Sequence, residues 1–352
     1  MAANANLHKA KDAKNDEFYT QLTDVSKELK HYKQHFKDKI VFCNCDDPTW
    51  SAFWKYFHLN FETLGLKKLI STHYDKNEPT YKMEYTGGND NDIEVGVKTP
   101  LEGNGDFRNQ ECLDLLDECD IVVTNPPFSL FREYVAVLME HKKKFLIIGN
   151  MNALTYKEIF PLFRDDKLWY GASIHSGDRK FGVPDSYPLD AAGCGIDENG
   201  QRYIKVKGVR WFTNLDYAAR HEKLVLWKEY NSEEYLKYDN YDAINVNKYS
   251  EIPMDYDGVM GVPITFMDFY CPEQFEIIEL GNSRDNFTPN KDYINPKKHL
   301  KDGKITNGGA INCVLAIERD IKPTGMVYYT SDNSKYLVPP YARILIRKKV
   351  GA

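Results

Sequence analysis

No apolar run in this 352-residue chain approaches the ~20 residues that a membrane-spanning helix requires, and the opening segment MAANANLHKAKDAKNDEF lacks the apolar stretch of a secretory signal. The expected setting is the cytoplasm, with no membrane partner. Cysteine is sparse and irregular: seven residues, at 43, 45, 112, 119, 194, 271 and 313, fit free thiols in a reducing compartment better than a disulfide framework. Cys43 and Cys45 form a lone Cys-x-Cys without the second pair of a zinc site, and the nine histidines include no His-x-His or His-Glu-x-x-His spacing. No metal is expected. A Gly-x-Ser-x-Gly elbow, a Walker loop and an internal repeat are also missing, which removes the best-marked hydrolase, P-loop and solenoid classes.

What is present describes a folded protein. The 42% hydrophobic and 13% aromatic residues supply a sizeable core, and the length suits a large catalytic domain with a smaller one appended. A formal charge of −6 argues against a polyanionic partner until it is divided along the chain. From Arg284 onward there are 13 Lys and Arg against 6 Asp and Glu, a net of +7, which leaves −13 for residues 1–281. Phosphate contacts respond to local charge, so the basic C-terminal fifth is either a nucleic-acid surface or a solubilising tail.

Leu22, Val25, Leu29, Tyr32 and Phe36 recur at steps of three and four, which predicts a helix over 21–37. KIVFCN reads as a buried strand, and PTWSAFWKYFHLNFETLG as a helix with Pro48 near its first turn and Gly65 past its end. Strands at KKLISTH, 91–98, 120–125 and 143–150 then alternate with helices NQECLDLLDEC and FREYVAVLMEHK. This alternation predicts a parallel sheet covered on both faces, with ligands at the carboxyl ends of its strands. A helix at 155–163, a strand near KLWYGA, a Gly/Pro/Asp-rich excursion over 176–207 and the strand GVRWFTNLD follow, the last suggesting an antiparallel closing pair. The acidic, tyrosine-rich stretch 229–242 marks a boundary, beyond which GVMGVPITFMDFY, FEIIEL, INCVLAIE, GMVYYT and YARILIR read as short strands. The expected domains are 1–228 and 229–352.

The stretch DIVVTNPPFSLF, 120–131, ends a strand in an unusual way. Proline cannot donate to a sheet ladder and holds the preceding residue extended, so Pro126 and Pro127 stop the strand and aim the Asn125 amide into the crevice. The Asn125 amide oxygen and the Pro126 carbonyl are two neighbouring acceptors, suited to both hydrogens of an –NH₂ group. An aromatic exocyclic amine is a poor nucleophile because its lone pair is delocalised into the ring; two acceptors favour a pyramidal nitrogen whose lone pair is directed at an electrophile. Phe128 offers a flat face for stacking a base, which reaches such a pocket only after swinging out of the duplex. The plain alternative is a strand ending in an ordinary Asn-Pro-Pro turn.

NPPF resembles the fourth motif of amino-methyltransferases that use S-adenosylmethionine, and the wider pattern is similar to the EcoRI-like DNA adenine methyltransferase family. The resemblance runs in order through LHKAK, DEFYTQ, CNCDDP, GLKKLI, GDFR, DIVVTNPPFSLFREY, KKFLII, TYKE, TNLD, YDNYDAINVNK and GVMGVPITF, covering most of residues 7–281, with RILI near the end. It implies a class I methyltransferase (Rossmann-like) fold, a mixed seven-stranded sheet with helices on both faces, followed by a target-recognition region. The implied reaction is transfer of the cofactor's methyl group to the 6-amino nitrogen of an adenine flipped from double-stranded DNA by a monomer, with a restriction endonuclease as an optional companion. Asn125, Pro126, Pro127 and Phe128 would be catalytic. Phe18, Tyr19 and Thr20 would close over the methionine end of the cofactor; Asn44, Asp46 and Asp47 would contact it. Asp106 would accept from its adenine amino group and Phe107 would pack on that ring.

Several plainer readings compete. Asp106 suits a turn, Asp46-Asp47-Pro48 a helix cap, and Tyr19 a core position. The glycine-rich turn that most methyltransferases carry after the first strand is absent from CNCDDPTWSAF, an oddity that the EcoRI-like family shares. Only Asp75 follows the second strand, several residues late, which leaves Asp46 or Asp47 to hold the ribose. Asn245, Asn247 and Lys248 in INVNK, Lys297 and Lys298 in NPKKHLKDGK, and Arg347 in RILIRKK are the expected DNA contacts, against the alternative of solvated turns. The family's namesake modifies GAATTC, but residues 282–340 carry no traceable match to it. Rival functions are methylation of cytosine, RNA adenine or protein glutamine, and an inert DNA-binding module.

Overall fold

The computed structural model describes residues 18–75, 78–88, 92–185, 187–190, 192–282 and 287–351. LHKAK and the first two residues of DEFYT lie outside them. The chain divides into two compact units, one running through Ala153 and resuming over Leu168–Ala219, the other made of Leu154–Lys167 and the chain from Arg220 onward.

The first unit is built on four parallel strands. β1 (Ile40–Cys43) and β5 (Ile121–Thr124) are buried at every position, as a sheet covered on both faces requires. Between β2 (Lys68–Thr72) and β6 (Lys144–Asn150) the order is β2, β1, β5, β6, all parallel. β3 (Tyr81–Tyr85) and β4 (Val97–Pro100) extend one edge antiparallel; β11 (Val209–Thr213) and then β7 (Trp169–Tyr170) extend the other. The mixed α/β architecture is the expected one, but the sheet has eight strands among the described residues rather than seven. The strand expected over 91–98 begins only at Val97, as the antiparallel edge strand β4, exposed at all four positions, and the additional strand is β3, which lies between β4 and β2.

The chain passes from β1 to β2 on one side, while β5 lies on the other. Such a reversal opens a crevice at the carboxyl ends of β1 and β5, where CNCDDP and TNPPF begin. A single core cluster joins Val41, Leu69, Val123 and Ile148 of the sheet to Val25, Leu29, Phe53, Trp54 and Phe57 of the helices. The expected helix over 21–37 is α1 (Leu22–Leu29) followed by a 3₁₀ turn, Lys33–His35, with Tyr32 and Phe36 still buried. α2 (Ala52–Leu59) starts later than Pro48 suggests: Asp47 first closes a turn by accepting from the Thr49 N–H at 2.8 Å, and Ser51 is the cap, accepting from Phe53 N and Trp54 N at 3.1 and 3.2 Å. The excursion over 176–207 is an antiparallel sheet of β8 (Arg179–Gly182), β10 (Arg202–Val206) and β9 (Cys194–Ile196), in that spatial order.

The second unit holds two antiparallel-rich sheets. One has the order β12 (Ile244–Asn245), β13 (Met260–Pro263), β20 (Arg343–Lys348), β14 (Phe275–Leu280). The other has the order β16 (Ile305–Asn307), β15 (Lys297–His299), β18 (Tyr328–Ser331), β19 (Ser334–Val338), β17 (Ile317–Arg319). INCVLAIE, read as one strand, is a 3₁₀ turn, Gly309–Cys313, leading into β17. In the five-stranded sheet the register sets Lys297 opposite Thr330 and His299 opposite Tyr328 on one face, while Tyr329 and Leu337 join a small core on the other. Among the described residues no helix is long and apolar enough to cross a membrane, and no group of acidic, histidine and cysteine side chains is arranged to hold a metal.

Candidate active site

The turn after β1 answers the puzzle of its missing glycine. Cys45 takes φ +70°, the left-handed conformation that turns of this kind normally give to glycine, at a strain on the order of 1 kcal/mol. That conformation is held from both sides. Asn44 is buried, its Oδ1 accepting from Tyr134 Oη at 2.5 Å and its backbone carbonyl from Thr124 Oγ1.

Asp46 is buried beside the crevice, accepting from Thr124 Oγ1, from the Asn125 N–H at 3.3 Å and from Ser51 Oγ at 3.2 Å. Burial pushes its carboxyl up to about 7, against those hydrogen bonds, which favour the ionised form. A carboxyl raised by folding takes up a proton when the chain folds at any pH between ~4 and that value. Its contribution is therefore least unfavourable below pH ~4, and stability falls as the pH rises through 7. Asp46→Asn should remove this dependence, gaining on the order of 4 kcal/mol relative to the parent between pH 4 and 8 in urea unfolding. Parallel pH curves for the two proteins would discard the effect.

Asp47 behaves oppositely. Burial raises its carboxyl, but His73 Nδ1 at 2.7 Å, both donors of Thr49, and Tyr81 Oη at 2.9 Å outweigh burial and hold it down at about 2. Sequence spacing gave no sign of His73 or Tyr81, because they arrive from the end of β2 and the start of β3.

GDFR forms the opposite wall. Gly105 has φ +73°, and a Cβ there would lie 2.3 Å from the His73 carbonyl, so the backbone passes where a side chain has no room. The Asp106 carboxylate is gripped by the Arg108 guanidinium, with Nε on Oδ1 at 2.9 Å and Nη2 on Oδ2 at 2.7 Å, while Nη1 reaches Glu133 at 3.0 Å. Phe107 is buried edge-on to Tyr134 at 4.9 Å. Arg108 was not among the expected site residues, although its place two beyond Asp106 is the natural position for such a fork.

Asn125, at the end of β5, is buried, and its Nδ2 donates to the Phe18 carbonyl at 2.6 Å. Its Oδ1 is also buried and accepts no hydrogen bond among the described residues. An unpaired buried acceptor costs about 1–3 kcal/mol, and none of the described residues offsets that cost at this oxygen. Phe128 is half-buried, its ring edge-on to Phe18 at 5.7 Å and to Phe181 at 6.3 Å.

Phe18 is buried among Phe128, Phe181 and Tyr187, while Tyr19 packs against Trp50 with ring centroids 3.9 Å apart. Thr20 stands beside them with a buried Oγ1 that lacks a partner among the described residues. A cleft of about 870 Å³ runs between these walls, lined by Phe18, Tyr19, Asp46, Asp47, Asp106, Phe107, Asn125 and Pro127, together with Trp50, His73 and Arg108. Asn44, Thr20, Pro126 and Phe128 lie outside that lining.

The residues expected to meet DNA fall in the second unit. Asn245 is buried, its Oδ1 accepting from Tyr238 at 2.9 Å and Arg343 at 3.2 Å and its Nδ2 donating to Asn247 at 2.9 Å, so it braces its segment from within. Asn247 and Lys248 are exposed, Lys248 beside Glu251 at 3.3 Å. Arg347 is exposed and 3.5 Å from Glu276. Lys297 is exposed on β15, and Lys298, on the same strand, lies 5.9 Å from the Tyr329 ring.

The family model for the adenine-specific methyltransferase EcoRI matches residues 6–349. The Type II methyltransferase M.EcoRI of Escherichia coli is 50% identical over 292 residues, 79% of this chain and 90% of that protein. The Type II methyltransferase M.MpnI of Mycoplasma pneumoniae is 42% identical over 277 residues, and M.MgeORF184P of Mycoplasma genitalium 40% over 278, each alignment covering 78% of this chain and 85% of the relative. No solved structure matches the chain.

Proposed function

This chain belongs to the EcoRI adenine-specific methyltransferase family, and on that premise we propose that its cleft binds S-adenosylmethionine and its Asn-Pro-Pro-Phe corner methylates the 6-amino nitrogen of an adenine flipped from duplex DNA. It is a site-specific DNA adenine methyltransferase, and kinship with Type II enzymes supports a restriction-modification setting. The single observation that carries the mechanism is the buried Oδ1 of Asn125, a residue that lines the cleft, which accepts no hydrogen bond among the described residues.

The residues present fit the cofactor. Asp47 is a carboxylate fixed in its ionised form and offers acceptors for ribose hydroxyls. Gly105 lets the backbone approach closely, and Phe107 with the Tyr19–Trp50 pair supplies aromatic faces. Asp106 would receive an adenine amino group on oxygens already oriented by Arg108. When bound, the cofactor supplies an electrophilic sulfonium methyl group.

The protein's part is orientation. Asn125 Oδ1 and the Pro126 carbonyl would accept the two amine hydrogens, Pro127 would stiffen the corner, and Phe128 would present its exposed side to the base. Asn247, Lys248, Lys297, Lys298 and Arg347 would face DNA, with Asn245 bracing its segment. Incubating the protein with tritiated S-adenosylmethionine and duplex DNA, RNA or protein separates the readings. Label in 6-methyladenine of DNA is the expected result. Label confined to 4-methylcytosine, RNA or glutamine would replace the substrate, and DNA binding without any label would identify an inert module.

A further inference from the structure

We propose that Gly182 is a positioning residue for methyl transfer: by pairing with Tyr19 it fixes the Phe18 carbonyl, which in turn sets the orientation of the Asn125 amide. The proposal rests on the reading of Asn125 as the acceptor for the reacting amine.

The two ends of an asparagine amide are nearly equal in size, so packing alone does not choose which end faces the cleft. Hydrogen bonding does. Asn125 Nδ2 donates to the Phe18 carbonyl at 2.6 Å, and the reversed amide would set two oxygens against each other at that contact. One backbone carbonyl thus makes Oδ1 the atom left over for the substrate.

That carbonyl belongs to no regular element and is held by an isolated bridge. Tyr19 N donates to Gly182 O at 2.8 Å and Gly182 N to Tyr19 O at 2.9 Å, which docks residues 18–19 on the outer edge of β8. Neighbouring side chains add to the grip, with Phe181 5.8 Å and Tyr187 6.3 Å from the Phe18 ring.

Position 182 needs glycine for closeness and not for its backbone angles, since its φ lies outside the left-handed region. A Cβ there would come 3.2 Å from Tyr19 Cβ and 3.3 Å from Tyr19 Cδ2, tight enough to push the paired segment away by a few tenths of an ångström. Phe18 would move with it, and the Asn125 amide would lose its reference. The three-stranded sheet of 176–207, remote in sequence from both motifs, therefore acts on the reaction through a backbone pair.

The test compares Gly182→Ala, Gly182→Val and Asn125→Ala with the parent in single-turnover methylation of unmethylated plasmid DNA at saturating S-adenosylmethionine and DNA. Dissociation constants for DNA and for S-adenosylhomocysteine are measured beside the rates. Valine is expected to lower the rate about tenfold or more and alanine about threefold, with both dissociation constants within about twofold of the parent. A Gly182→Val protein at the parental rate, or one whose loss lies wholly in cofactor affinity, overturns the clamp. If the valine variant shows no cooperative thermal transition, Gly182→Ala decides by the same criteria. An inactive Asn125→Ala beside a fully active Gly182→Val removes the clamp alone, whereas an active Asn125→Ala removes the reading of Asn125 on which it rests.

Discussion

Asn125→Ala is expected to lower the rate of methyl transfer by about 10³-fold or more while leaving the dissociation constant for DNA within about threefold. The asymmetry follows from where the side chain is. Asn125 lies at the carboxyl end of β5 in the crevice of the first unit, whereas the residues proposed to meet DNA lie in the second. Removing the amide also frees the Phe18 carbonyl from its donor, so the corner loses both its acceptor and its anchor. Alanine preserves the extended backbone that Pro126 imposes, which keeps the comparison local. Single-turnover rates with tritiated cofactor, measured beside gel-shift titrations, give both quantities. A variant retaining a tenth of the parental rate would remove the acceptor role.

Affinity for duplex DNA is expected to fall about 10³-fold between 50 and 200 mM salt, the loss typical of some six phosphate contacts. In the second unit Lys291, Lys335, Arg347 and Lys348 have carboxylate partners. Lys297, Lys298, Lys301, Lys304, Arg319 and Lys322 have none among the described residues. Several of these six share one sheet, where burial together with nearby Lys322 and Lys297 holds the His299 imidazole below its ordinary value. Cations left unpaired and crowded together are favourable only when an anion joins them. The double variant Lys297→Gln/Lys322→Gln should lessen the slope of log affinity against log salt by about two, measured by anisotropy with a fluorescent duplex. An affinity indifferent to salt would take this region out of the interface.

The sequence made the candidate corner legible because proline acts on its immediate neighbours: Pro126 and Pro127 end β5 whatever surrounds them, and Asn125 then lines the crevice. The alternation of strand and helix likewise gave the parallel centre of the sheet. β3 was not read from the sequence, although Tyr81, Met83 and Tyr85 alternate with Lys82 and Glu84 as a half-buried strand does; at five residues the alternation is too short to stand out until β2 is beside it. The grips on Asp47 by His73 and Tyr81, and on Phe18 and Tyr19 through Gly182, join positions far apart in the chain. No local spacing encodes such pairs. Cys45 shows the reverse limit: the expected glycine was missing, yet its backbone conformation was not.

If Asn125 and Pro126 hold the reacting amine as proposed, the Asn125 oxygen, which has no partner among the described residues, also bears on how the reaction stops. Adenine brings two N–H hydrogens to two acceptors, but 6-methyladenine brings one. After a single transfer an acceptor would again stand buried and unpaired, and the product would forfeit about 1–3 kcal/mol of holding power that the substrate enjoyed. A corner that holds an unmodified adenine in this way would be poorly suited to keep a modified one, which would disfavour a second methylation and hasten release of the finished strand.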